Sequence, residues 1–191
     1  ITASRDLLSF IIHKDILNGK EQQIRQGIEK AVNPNNIYVS NNLALILIAL
    51  YFLISIIKIE HPGVNNDQLM FVNAATLNPD NLFLWKSFHG IPTMIFSYIG
   101  ALKSYLYMPI FYIFGVNIWS IRLPHIIIIS ISLFLLYKAL MLSFNEKIAL
   151  LTILFLSLDP SHIIYSKIDN GPTVVEFFLK VLTIYLFFLY V

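Results

Sequence analysis

Two aspartates stand at the edges of long apolar runs. Asp67 follows "HPGVNN" just after one such run, and Asp169 follows "IIYSKI" just before another. Each has bulky aromatics nearby, and a carboxylate that is partly desolvated at a membrane surface can act as a general base toward a hydroxyl or bind a cation. The plainer reading of either residue taken alone is an ordinary loop aspartate. Lys103 and Lys167 bring positive charge that can stabilise a phosphate, although Lys167 can equally snorkel to water. His61, His89 and His162 are predicted on the Asp67 side. With a carboxylate they could bind a divalent metal, but their spacing matches no compact ligand motif. The chain contains no Gly-rich phosphate loop, no nucleophile elbow and no HExxH.

These residues sit in a very apolar chain. Of the 191 residues 57% are hydrophobic and only 13% charged, and several apolar runs are long enough to cross hydrocarbon. That composition reads as a polytopic membrane protein and not as a soluble globular core. The formal net charge of +2 is spread thinly, so nucleic acid, whose phosphates require concentrated Lys and Arg, is not an expected partner. With no cysteine there is no disulfide, no thiolate zinc site and no cysteine nucleophile. The chain starts at Ile1 without a methionine and stops within an apolar run, which reads as a piece of a longer protein.

The elements that must position the candidates follow from the pattern. Residues 1–42 mix both charges, and "LLSFIIHKDILNGKEQQIRQGIEKAV" has apolar residues at helical spacing, predicting an amphipathic arm ended by "NPNN". Residues 43–59 are an unbroken apolar run near the ~20 residues that a spanning helix needs. The polar stretch after it must lie outside hydrocarbon, with an interfacial helix over about 67–77. A second interfacial helix is expected over 94–114. Lys103 stands in the middle of that segment, where a bilayer-centre lysine costs about 2.5–3.5 kcal/mol, and a helix lying flat lets it reach water. Further spans are expected over 123–142, with Trp119 and Arg122 as interfacial anchors, over 148–164 with a break near Asp159 and Pro160, and over 173–191. Glu176 and Lys180 lie one turn apart in the last of these and can pair toward a bundle interior. The fold class read from this is an all-α, polytopic transmembrane bundle with extracytoplasmic interfacial helices.

Topology links the chemistry to the fold. If the Lys103 segment lies flat, the Asp67 and Asp169 loops share one side of the membrane; if it spans, they are on opposite sides. The distribution of Lys and Arg leans toward a cytoplasmic arm and a cytoplasmic "SFNEK" turn, which puts the carboxylates outside.

In its order of motifs, "NNDQLMFVNAAT", then "YIGALKSYLYMPIFYIFGVNIWSIRLP", then "LDPSHIIYSKIDNGPTVVEFFLK", the chain from 43 to 191 resembles the amino-terminal part of a GT-C fold glycosyltransferase. The nearest kind is the bacterial and archaeal relatives of protein mannosyltransferases and lipid A aminoarabinose transferases, the family 39-like group. The resemblance implies a sugar donor on a polyprenyl phosphate and transfer to a hydroxyl of a lipid, glycan or protein acceptor at the outer face, in a prokaryotic plasma membrane among membrane lipids. Asp67 falls at the first acid of the family's "DE"-like pair, and Gln68 stands where the second acid is usual. Asp169 falls at the acid of the second outer loop. By the same resemblance Lys103 and Lys167 would contact the donor phosphate, while Gln68, His89 and His162 would line the site. No metal ligand set is assigned, and a divalent metal remains only an option of the family chemistry. The competing class is a transporter or non-catalytic membrane subunit, in which Glu176, Lys180 and Asp169 would line a polar pathway. No internal repeat supports it.

Overall fold

The computed structural model describes residues 34–77, 86–96, 99–168 and 171–190. The predicted arm helices before residue 34, and Asp169, lie outside the described residues. The chain divides after Asn42, and the packing below is that of the unit Leu43–Val191.

Seven helices and one small sheet make up the described residues. They run α1 (Pro34–Ile56), α2 (Asn66–Ala75), β1 (Lys86–Phe88), β2 (Ile91–Phe96), β3 (Ile99–Gly100), α3 (Leu102–Phe114), α4 (Ile118–Ser143), α5 (Glu146–Leu158), α6 (Pro160–Ile168) and α7 (Thr173–Tyr190). Three stretches are long and apolar enough to cross a membrane, Val39–Ile56, Ile118–Ser143 and Thr173–Tyr190. A fourth results if α5 and α6, bent by 63° at Asp159, form one broken span. Pro160 explains the break, because its ring removes a backbone donor and crowds the preceding turn. The protein is therefore an integral membrane protein with a polytopic helical fold.

The segment expected to be one flat helix over 94–114 is composite. Its first part forms β2 and β3, and only Leu102–Phe114 is helical. The three strands pair antiparallel in the order β1-β2-β3, and Phe88 faces Ile91 across a two-residue turn. Both turn residues, His89 and Gly90, have positive φ (49° and 80°), as the tightest hairpin turns require. The alternation that would signal strands is short and interrupted by Pro92, so the apolar content read as helix. At 1.5 Å per residue the thirteen residues of α3 reach only about 20 Å, well short of the ~30 Å hydrocarbon core.

Helix α4 is the central strut. Ile126, Ile129, Leu133 and Tyr137 on it pack with Ala44 and Tyr51 of α1, Ala149 and Ile153 of α5 and Val174 of α7 in one buried cluster. Two smaller clusters attach the surface layer. Val72 and Ala75 of α2 meet Tyr107 and Phe111 of α3 and Ile121 of α4, while Phe71 and Ala74 meet Ile95 of β2 and Ala101. Asn117 starts α4 by accepting from the backbone amides of Trp119 and Ser120, with the Ser120 hydroxyl returning to the Asn117 amide.

Candidate active site

Helix α2 begins with a reciprocal cap. The Asn65 side chain accepts from the Gln68 backbone amide at 2.8 Å, and the Gln68 Oε1 accepts from the Asn65 amide at 3.3 Å. Asp67 therefore sits in the first helical turn, where the amide dipoles favour its charge. It is half-buried. Its neighbour Gln68 turns inward and is only 1% exposed.

Inside, Gln68 meets residues far away in the chain. Its Nε2 donates to the carbonyl of Lys167 at 2.8 Å, and Arg122 Nη2 donates to its Oε1 at 3.4 Å. The amide orientation is thus set by its partners, since the Lys167 carbonyl can only accept and the Asn65 amide can only donate. Arg122 is fully buried and also donates to the carbonyls of Ile59 at 2.6 Å and Gly63 at 2.9 Å. Lys167, itself buried, donates to the Ile57 carbonyl at 2.9 Å. Two cations thus gather the carbonyls just beyond the carboxy end of α1, where the helix dipole is negative.

The third cation closes the other end of the layer. Lys103, second residue of α3, is 2% exposed; its Nζ donates to the Gly171 carbonyl at 2.9 Å and lies 4.4 Å from the centre of the Phe71 ring. Ser104 ties α3 to the Phe71 carbonyl of α2, and the Tyr107 hydroxyl ties it to Ile121 of α4. Residues 167 and 171 flank Asp169, and each is fastened, the first to α2 through Gln68 and the second to α3 through Lys103. The Asp67 turn and the segment that carries residue 169 accordingly stand at the same end of the bundle.

Four expectations about charged residues need correcting. Lys103 does not reach water, and Lys167 does not snorkel; each ammonium group turns inward and donates to a backbone carbonyl. Arg122 is not an interfacial anchor but the most deeply buried charge of the layer, whereas Trp119 is half-exposed. Glu176 and Lys180 do pair, at 2.6 Å, but on an exposed face of α7 and not toward the interior.

The remaining candidates lie apart. His89 occupies the β1-β2 turn, exposed, with its ring edge-on to Phe88. His162 stands in the bundle between the rings of Tyr51 and Phe177, at 5.6 and 5.9 Å. No described contact brings either to Gln68 or Lys103. Among the described residues no three His, Asp or Glu side chains gather as a metal would require. Arg122 is the residue of this layer that the sequence pattern placed wrongly. An arginine entering an apolar run is by default a site residue with a buried partner, and the Asn-x-x-Gln cap ahead of "LMFV" was the signal that Gln68 is structural as well.

The space around this layer is of two kinds. A cavity of about 10 Å³, the size of one water, lies among Gln68, Phe71, Lys103, Tyr107 and His125. A groove of about 700 Å³ runs between α3 and α4, lined by Tyr107, Ile110, Phe114, Trp119, Leu123 and Ile127. Its walls are almost wholly apolar, suited to a hydrocarbon chain and not to a sugar.

No curated protein and no solved structure matches the chain. Residues 101–191, from the start of α3 to the end of the chain, match the family model described as dolichyl-phosphate-mannose-protein mannosyltransferase. This stretch contains Lys103, Arg122 and Lys167, three of the buried groups that hold the Asp67 turn and the residue-169 segment together. Over it the chain matches part of a GT-C glycosyltransferase, in agreement with the resemblance over this stretch; the "NNDQLMFVNAAT" motif lies outside the match.

Proposed function

We propose that the protein transfers a sugar from a polyprenyl-phosphate donor to a hydroxyl of a lipid, glycan or protein acceptor at the outer face of a prokaryotic plasma membrane. The observation that carries this reading is the 2.8 Å hydrogen bond from Gln68 to the Lys167 carbonyl, which fastens the Asp67 turn to the segment bearing Asp169. Asp67 is the base. It takes the proton of the acceptor hydroxyl as that oxygen attacks the anomeric carbon of the sugar, and the bond from that carbon to the phosphate oxygen breaks with its electron pair leaving on the phosphate. Asp169 positions the acceptor or the donor sugar. Lys103 and Lys167 stabilise the charge that develops on the departing phosphate. Lys167 spends one N–H on Ile57, and an ammonium has three. The groove between α3 and α4 receives the isoprenoid chain.

The experiment is a donor comparison. Full-length protein reconstituted in lipid is given the same radiolabelled sugar either on a polyprenyl phosphate or on a nucleotide, with a cell-derived acceptor mixture. Incorporation from the lipid-linked donor alone is expected. Incorporation from the nucleotide donor alone, or from neither, contradicts the proposal.

A further inference from the structure

By the resemblance in motif order Gln68 stands where a second acid is usual, and the simple view is that one charge has been lost. The hydrogen bonds argue otherwise. The side chain accepts from the Asn65 amide and from Arg122 on Oε1, and donates from Nε2 to the Lys167 carbonyl. A carboxylate could do the first two but not the third. It would set two acceptors against each other at the distance now occupied by the 2.8 Å bond, in a place where Gln68 is only 1% exposed. Arg122 adds to this, because it would draw a carboxylate toward its guanidinium and away from Lys167.

We propose that Gln68 is a positioning residue whose amide, acting as donor and acceptor at once, sets the separation between the Asp67 turn and the 167–171 segment. Arg122 is its support: by holding Ile59, Gly63 and Gln68 together it keeps the loop before α2 and the α2 cap in one register. Gln68 touches no reacting atom in this account. Its effect on transfer rests on the reading of Asp67 as base, but its effect on the separation does not.

Two readouts keep these apart. Single cysteines at Val64 and Tyr165, both exposed and outside the catalytic and binding set, carry spin labels in a full-length background free of other cysteines. The distance distribution between them is measured with Gln68, with Gln68→Glu and with Gln68→Met, which keeps the length but lacks both polar functions; kcat and KM are read on the same variants without labels. A distribution broadened in both variants is expected, with kcat lowered about tenfold, as loss of a net hydrogen bond in the reacting geometry corresponds to, and KM little changed. Should Gln68→Glu not yield folded protein, Gln68→Met is read alone by the same criterion. A distribution as narrow as in the parent, or transfer that rises with Glu at position 68 as a restored acid demands, overturns the proposal. If the parent shows no transfer at all, the assignment of Asp67 fails while the distance measurement still decides the role of Gln68.

Discussion

Lys103 Nζ donates to the carbonyl of Gly171 across 68 residues of chain, at 2.9 Å, with the Phe71 ring beneath it. A lysine in an apolar segment is costly unless its charge has partners, and here a carbonyl and an aromatic face supply them. The consequence is structural: the amino end of α3 holds the turn before α7. Lys103→Met is expected to leave the Gly171 carbonyl buried without its partner and to lower stability by about 1–3 kcal/mol. Thermal unfolding in detergent, followed by the loss of monodisperse protein, measures this, and an unchanged midpoint would show that the tie contributes nothing.

Arg122 is expected to be less replaceable. Arg122→Lys keeps the charge but cannot reach Ile59, Gly63 and Gln68 at once, since a single ammonium lacks the planar fork. Each buried acceptor left alone costs about 1–3 kcal/mol, so Arg122→Lys should fall between the parent and Arg122→Met in the same unfolding assay. Full restoration by lysine would show that only the charge matters.

Gly171 offers a finer test of the same turn. Its φ is +71°, a conformation unfavourable for residues with a Cβ, and an added Cβ would stand 3.6 Å from Ile99 Cδ1, an ordinary contact. Gly171→Ala should therefore cost only the backbone strain, about 1 kcal/mol. A loss several times larger would mean that the space at Ile99 is tighter than the geometry allows.

How much of this was readable in the residues varies with the element. Leu43–Ile56, the run from Leu123 and the run from Thr173 announce themselves by length and apolarity alone, because lipid demands both. The break at Asp159-Pro160 is equally legible from the chemistry of proline. The sheet at 86–100 is not. Its strands are short, its one long strand contains Pro92, and what holds it is contact with Phe71 and Ala101, which is tertiary. Asp67 is visible as an acid after a span, but Gln68 acquires meaning only when Lys167, 99 residues on, arrives beside it. Arg122 was visible as a charge at the head of an apolar run; what could not be read is that it turns inward to the loop after α1 and to Gln68 of α2.

The proposed sidedness has its own test. Single cysteines replacing Asp67 and Asp169, in a background without others, are expected to react with a membrane-impermeant maleimide added to intact cells. Labelling of one from outside and the other only after permeabilisation would place the two carboxylates on opposite faces and dissolve the single site.

The most direct measurement is sugar transfer by the Asp67→Asn protein. The substitution keeps the shape and the half-buried place in the first turn of α2 while removing the basic oxygen. With full-length protein, a polyprenyl-phosphate-linked sugar and an acceptor the parent uses, kcat should fall by about 10²–10⁴, the usual worth of a general base, with stability lowered by no more than about 1 kcal/mol from the lost charge at the helix start. Undiminished transfer would contradict the account.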